Sequence, residues 1–455
     1  MKIIDIKEIP GYDGLKFVRI IPALIKDPLK KLTGIVESGG KIIPFRLGKY
    51  HLYLINDESL LRHILKKNYE NYPRGESLEG IKPLLGNGLF TSNNEYWVSQ
   101  QKKIGSAFRS KYIESFFPVI EEETKTFSHI LDSVSNSNGE IELQDSVKEM
   151  MLRILIRTMF AKNLEFDTKR IIKELDFVLD YTSIKGAMVR RIFGFPLKLT
   201  GVAKREENKY NQALEYLNNF AYKIIDDSIA GKLETTGLLE ILTEDIKTGA
   251  ISRLQMRDEI MTFLFAGFDT VAEGIIWFWY LLSQNKEYLE EVRNEVEILG
   301  IPGTLESIQK YKKLTNGIKE SLRLYPPAWA FYRIAENEDI ADEFKIFKKA
   351  YLMISPYLMH RLSKYYNAPE KFYPERFDEE SNPEFSRFDY IPFGQGPHIC
   401  TGKRLASTEI ALISALILSK YDFEYSAEIP PQITPGIIIK SKTPLLFKVK
   451  RVKGL

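Results

Sequence analysis

Residues 393–402 read FGQGPHICTG and hold Cys400, the only cysteine among 455 residues. A single cysteine makes no internal disulfide. Its sulfur either packs as a small hydrophobe or serves as a ligand or nucleophile. The residues that follow, GKRLASTEIALISALILSKY, carry apolar side chains at helical spacing. The sulfur therefore lies at a helix N-terminus, where unpaired N–H groups and the macrodipole favour a thiolate, the form that binds a metal. Glycines 394, 396 and 402 let the backbone fold tightly around the sulfur, and Phe393 can shield it from water. The five histidines, at 51, 63, 129, 360 and 398, are too scattered for a zinc site. Elsewhere, the long apolar run from Ile260 to Leu282 contains Asp269 and Glu273 beside Gly267 and Gly274. Charges in such a run point to a buried functional helix rather than a membrane span. Glu320 and Arg323 share one helix face at i and i+3.

The elements that must position these groups are mostly helical. Apolar residues make up 44% of the chain and aromatic residues 12%, enough for a large core. Sixty-four Lys and Arg against 61 Asp and Glu give a net charge of +3, too balanced for a nucleic-acid footprint. One cysteine argues against a disulfide-stapled secreted protein and fits a reducing, cytoplasmic setting. The N-terminal FVRIIPALI is broken by Arg19 and Pro22 and is too short to span a bilayer, so no membrane anchor is expected. The segment KIIPFRLGKYHLYLIND reads as a hairpin, followed by a short helix from Leu60 to Lys67. Trp97 precedes a basic helix with Lys102, Lys103, Arg109 and Lys111. GFPLKLTG, near 194–201, reads as a breaker between helices. One long helix is expected from about Ser252 to Gln284, on the order of 50 Å at the usual rise per residue. Another reaches Leu324 and stops at Pro326 and Pro327. No repeat or linker divides the chain. A single, mainly α domain over 1–455 is expected, with a small β portion at about 35–60, 329–360 and 421–455.

The spacing of Phe393, Gly394, His398, Cys400 and Gly402 resembles the haem-binding signature of the cytochrome P450 family. So do Glu320-Ser-Leu-Arg323, the later Pro374-Glu375-Arg376-Phe377, and Ala266-Gly267-Phe268-Asp269-Thr270. The resemblance runs from about Ile9 to the C-terminus and implies a triangular, mainly helical domain enclosing a buried haem b. Cys400 is then the axial thiolate, which pushes electron density onto iron and favours O–O cleavage. Glu320, Arg323 and Arg376 form a buried scaffold beneath the haem, where a planar arginine suits better than lysine. Ala266 and Gly267 leave room for dioxygen, Thr270 bends the helix and holds a water, and Asp269 relays protons. Trp97, Gln101, Arg333 and His398 take positions that contact the haem propionates. Gln101 replaces a cation that adjacent Lys102 could supply. His398 replaces a common arginine and can lose its charge near neutral pH. Thr401 replaces an apolar residue, and its hydroxyl could shift the iron potential.

The stretches around Phe90, Thr270 and Pro327 are similar to self-contained bacterial fatty-acid hydroxylases of that family. Those carry a fused reductase, whereas this chain ends about fifty residues after the cysteine. The expected donor is a separate ferredoxin- or flavodoxin-type protein with its reductase, drawing on NAD(P)H and docking at the basic helix and Lys403-Arg404. The resemblance lines the pocket with Phe90, Ala266, Thr270, Ala328, Ala330, Phe331 and Ile433, implying an apolar substrate: fatty acid, terpenoid or polyketide-like. Lys49 and Tyr53 fall in the frame of a carboxylate-holding pair, though on an edge hairpin they read equally as surface residues. The expected activity is insertion of one atom of O2. The alternatives are a peroxygenase or isomerase needing no partner, and a non-catalytic haem sensor.

Overall fold

The computed structural model describes residues 3–48, 50–182, 202–378 and 388–452. Lys49 and the breaker near 194–201 lie outside them. The chain is 58% helical and 12% strand, which places it in the expected mainly α class. It packs as two compact units, each assembled from separated stretches of sequence.

The first unit comprises Met1–Leu78, Asn316–Lys403 and Ile433–Lys440. Its framework is a five-stranded sheet in the order Tyr12–Asp13, Ile42–Leu47, Tyr50–Ile55, Tyr351–Ile354, Phe331–Ile334. The 42–47 and 50–55 strands form the expected hairpin, with Ile43 opposite Leu54. Their β-branched and aromatic residues suit a pleated, half-buried surface. Ile42, Phe45, Leu54, Ile55, Leu352 and Ile354 are buried in the core. After the hairpin, the helix Glu58–Arg62 widens into a π turn at His63–Lys67. Asp339 clasps this region: one carboxylate oxygen accepts from His63 Nε2 (2.7 Å), Tyr72 Oη (2.6 Å) and Asn68 Nδ2 (2.9 Å). Burial acts to raise the Asp339 pKa, but these donors outweigh it and hold the carboxyl below its usual range.

The second unit, Glu79–Thr315 with Arg404–Gln432 and Ser441–Leu455, is mostly helical, with a small sheet of Tyr421–Tyr425, Leu446–Arg451 and Glu140–Glu142. Trp279 is fully buried here, its ring stacked between Phe127 and Phe423 and its Nε1–H donated to Ser414 Oγ at 3.0 Å. The stretch Arg253–Gln284 is long and apolar enough to cross a membrane, but 83% of its most apolar window is buried in protein. It is a core element.

The bend expected at Thr270 is sharp enough to divide that stretch in two. The stretch consists of Arg253–Gly267 and Asp269–Gln284, separated at Phe268 (φ −108°, ψ −47°). Thr270 Oγ1 donates to Ala266 O at 2.7 Å, a back-bond of the kind that bends helices. A β-carbon on Gly267 would come within 2.7 Å of the Leu155 side chain, so the helix Leu143–Leu155 approaches closely there.

Candidate functional site

In the first unit, the cysteine loop is shaped by its own backbone. Gly394 (φ 70°) and Gly396 (φ 74°) are left-handed, and a β-carbon on Gly396 would stand 1.7 Å from Leu65 O. Cys400 N–H donates to Phe393 O at 2.9 Å, closing the loop. The Gly402 and Lys403 N–H groups reach the sulfur just before the helix Lys403–Leu418, as the helix N-terminus argument expects. The thiol nevertheless titrates in the opposite direction. Burial pushes it up and outweighs the N–H donors and the cations Arg74 and Lys403. Cys400 as a residue is nevertheless exposed.

Arg74 stands near the sulfur, and Arg333 and His398 stand near Arg74. Arg333 is 6% exposed. Burial, then Arg74, lowers its guanidinium to about 9, and burial lowers Arg74 to about 10 against the pull of Cys400. His398, whose ring meets Tyr69 edge-on at 6.0 Å, is driven to about 3 by burial and then by the two arginines. The imidazole is neutral across the physiological range. Arg74 was not found from the sequence. One sulfur ligand with two guanidinium groups gathered near it is a donor set that fits an iron porphyrin bearing two carboxylates.

Beneath the loop lies a buried charge cluster. Glu320 and Arg323 are fully buried and Arg376 is 7% exposed. Arg323 pairs bidentately with Glu320 at 2.7 and 2.9 Å, and Arg376 Nε reaches the same carboxylate at 3.1 Å. Arg323 also donates to His360 O and Pro369 O, both at 2.7 Å, and to Lys371 O at 3.2 Å. His360, a second residue the sequence did not reveal, joins the cluster to the loop. Its Nδ1 meets Arg323 O at 3.1 Å and its Nε2 accepts Ile391 N–H at 2.8 Å. That pattern requires a neutral ring protonated at Nδ1. Burial and then Arg323 hold its pKa well below the usual value.

In the second unit, the helix break presents Asp269 and Thr270. Asp269 is 4% exposed and forms an ion pair with buried Lys148 at 3.2 Å; Lys148 also lies 3.3 Å from Asp176, which reaches solvent. Neither Lys148 nor Asp176 was singled out by the sequence. Phe90 packs edge-on against Phe265 at 5.3 Å. The loop before Phe90 is tied down by Asn87 N–H to Asp258 (2.8 Å) and Leu89 N–H to Glu259 (3.0 Å). Trp97 is buried in the helix Asn94–Ile104, with Gln101 half-buried one turn later and Lys102 exposed. Arg404 donates to Ser110 Oγ at 2.7 Å, which brings it beside the basic segment at Arg109 and Lys111.

Of the remaining sequence candidates, Ala330, Phe331 and Ile433 are partly buried in the first unit, and Ala328 there is exposed. Ala266 is partly buried in the second. Tyr53 is no surface residue: it is 0% exposed, packed edge-on against Phe347 at 5.6 Å and beneath the Arg46 guanidinium at 5.5 Å.

A family model described as cytochrome P450 matches residues 10–449, spanning both units. The chain is 27% identical over 446 residues to Protein LUTEIN DEFICIENT 5, chloroplastic, of Arabidopsis thaliana, covering 91% of this chain and 73% of that one. It is 27% identical over 420 residues to cyclooctatin synthase of Streptomyces melanosporofaciens, covering 90% and 88%. Cytochrome P450 4V2 of Rattus norvegicus is 28% identical over 398 residues, covering 82% and 75%.

Proposed function

The chain belongs to the cytochrome P450 family of haem-thiolate monooxygenases, and from that premise we propose that it oxidises an apolar acyl, terpenoid or polyketide-like substrate. Haem b would be held through the Cys400 sulfur in the loop from Phe393 to Gly402, with Arg333, His398, Trp97 and Gln101 toward its carboxylates. When bound, haem supplies the binding and reductive cleavage of dioxygen, with electrons from NAD(P)H arriving through a separate partner. The observation that carries this reading is the Cys400 sulfur, met by two backbone N–H groups in a loop where Gly396 leaves no room for a side chain.

The protein's own groups then have distinct tasks. The Gly402 and Lys403 N–H groups stabilise the thiolate once ligation has removed its proton. Thr270 has committed its hydroxyl proton to Ala266 O, so its oxygen is free to accept from a water or a protonated neighbour. Asp269 takes up and returns protons, with Lys148 as its ion-pair partner at 3.2 Å, and Asp176 links the pair to solvent. This buried acid and its cation favour an oxygenase over a peroxygenase, isomerase or sensor, which would have no use for them. Lys148→Met is expected to lower coupled product formation by about tenfold to a hundredfold while oxygen uptake continues and peroxide accumulates. Unchanged coupling would remove Lys148 from the proton path.

The apolar substrate class rests on Phe90, Phe265 and Phe331, and a cytoplasmic setting on the single thiol. Arg109, Lys111 and Arg404 suit an acidic ferredoxin- or flavodoxin-type donor, with a reduction rate that falls as salt rises. The substrate assignment is tested by spectral titration of the purified holoenzyme. Dodecanoate or a monoterpene alcohol should shift the Soret band at micromolar concentration; a response to glucose and to no lipid would overturn it.

A further inference from the structure

In the second unit, the loop of residues 86–91 lies along the helix Arg253–Gly267 in a fixed register. Asn87 N–H donates to Asp258 Oδ2 at 2.8 Å, Leu89 N–H donates to Glu259 Oε2 at 3.0 Å, and Phe90 meets Phe265 edge-on at 5.3 Å. Thr91 closes the loop on itself, its hydroxyl donating to Gly86 O at 2.8 Å. Asp258, Thr262 and Phe265 follow one another at i, i+4 and i+7, so the loop advances along one helix face toward Ala266. The approach leaves no room for side chains. A β-carbon on Gly86 (φ 57°) would collide with the Asp258 carboxylate, and one on Gly88 would stand 2.6 Å from Asp258 O.

One of these anchors is costly. Glu259 is 0% exposed, and its Oε1 is buried with no hydrogen-bond partner among the described residues, as is Thr262 Oγ1 one turn further on. A buried carboxylate satisfied on one side only weakens the fold, and an apolar side chain of similar shape would pack there more favourably. Stability does not account for Glu259; what it holds does. Asp258 is braced instead. Arg257 Nη1 donates to its Oδ1 at 2.8 Å, and Arg257 Nε donates to Asn218 Oδ1 at 2.7 Å on the helix Val202–Ile229. Through that guanidinium the loop is tied to two helices.

We propose that Asp258 and Glu259 are positioning residues that determine substrate specificity: by gripping the backbone before Phe90 they fix its ring against Phe265 as one wall of the substrate pocket. This rests on the haem-thiolate reading above and deepens it. Phe265 precedes Thr270 by five residues, roughly 7 Å along the axis, so the wall stands beside the segment assigned to oxygen activation. Neither carboxylate meets the substrate; both act through Phe90. A wall formed in advance selects apolar substrates by shape without a further cost of ordering.

The test uses purified holoenzyme and two azoles that ligate haem iron, read by the red shift of the Soret band. Imidazole is too small to need the wall, whereas the second ring of phenylimidazole must lie against it. Glu259→Met removes the acceptor of Leu89 N–H with little change in shape. It is expected to bind phenylimidazole about tenfold more weakly, the change for one hydrogen bond to a charged group, and imidazole as before. Hydrogen exchange at the Leu89 amide should quicken. Glu259→Gln, which keeps an acceptor oxygen, should restore both properties. In a Phe90→Ala background Glu259→Met should alter neither azole's affinity, because its effect passes through that ring. Wild-type selectivity between the azoles in Glu259→Met would overturn the proposal. So would an equal loss in the Phe90→Ala background, which would mark Glu259 as a packing residue. Should Glu259→Met not fold, Asp258→Ala, which removes the acceptor of Asn87 N–H, supplies the same comparison. A wild-type holoenzyme whose Soret band answers to neither azole would overturn the haem-thiolate reading instead.

Discussion

Replacing Cys400 with serine is expected to abolish the thiolate-type Soret band of the reduced carbon-monoxide complex and to reduce monooxygenase turnover to background. A serine hydroxyl is a far weaker ligand at neutral pH, and no second cysteine exists to take over. In the protein alone the thiol is pushed up by burial, so ligation must displace a proton, as thiolate ligation generally does. Haem uptake by the wild-type chain should therefore release a proton and strengthen as pH rises. Retention of the thiolate band in Cys400→Ser would exclude Cys400 as the ligand.

The second large effect concerns Glu320. Its carboxylate bridges Arg323 and Arg376, and it also accepts Tyr373 N–H at 2.8 Å. Glu320→Gln removes the carboxylate charge that both buried guanidinium groups share, and breaking such a buried pair costs about 3–5 kcal/mol. The urea midpoint should fall accordingly and the haem should dissociate more readily, because His360 ties Arg323 to the start of the cysteine loop. A midpoint within error of wild type would show that the cluster contributes little to stability. The same link has a pH signature. His360 is held neutral in the folded protein, whereas in the unfolded chain it titrates near its ordinary value of about 6.5. The unfolded state therefore binds more protons below about pH 6.5. The stability is fully present above that pH and declines as pH falls, at up to about 1.4 kcal/mol per unit for this group. In His360→Phe that component of the acid slope should disappear.

What could be read from the sequence was what short-range spacing encodes. The cysteine loop, the Glu320–Arg323 pair and the pentapeptide at Thr270 each lie within a few residues, so periodicity and residue type suffice to mark them. Arg74 is different: its neighbours Pro73 and Asn71 accept backbone hydrogen bonds from Ile334 and Glu336, about 260 positions away, which no local pattern announces. His360 was one of five scattered histidines until its two ring nitrogens were seen between Arg323 and Ile391. Lys148 resembles any helical lysine until Asp269 is placed beside it. The bend at Thr270 was expected from its hydroxyl, but the full interruption at Phe268 was not, because apolar content does not report where a helix's backbone ladder breaks. Tyr53 lay on a hairpin that reads as an edge, but the strand Tyr351–Ile354 pairs with its other side and makes it interior.

The discontinuity of the first unit also bears on how the protein is made. Residues Met1–Leu78 complete their sheet only with strands from Asn316–Lys403, and all of 79–315 is synthesised in between. At ordinary elongation rates that interval is roughly 10 to 50 s. Throughout it, Ile42, Phe45, Leu54 and Ile55 belong to an incomplete sheet, the hairpin with the two-residue strand Tyr12–Asp13, whose open edge awaits Tyr351–Ile354. Nascent chains should therefore depend on holding chaperones until those strands emerge, and cofactor capture must wait for the metal ligand Cys400, which follows them in the chain.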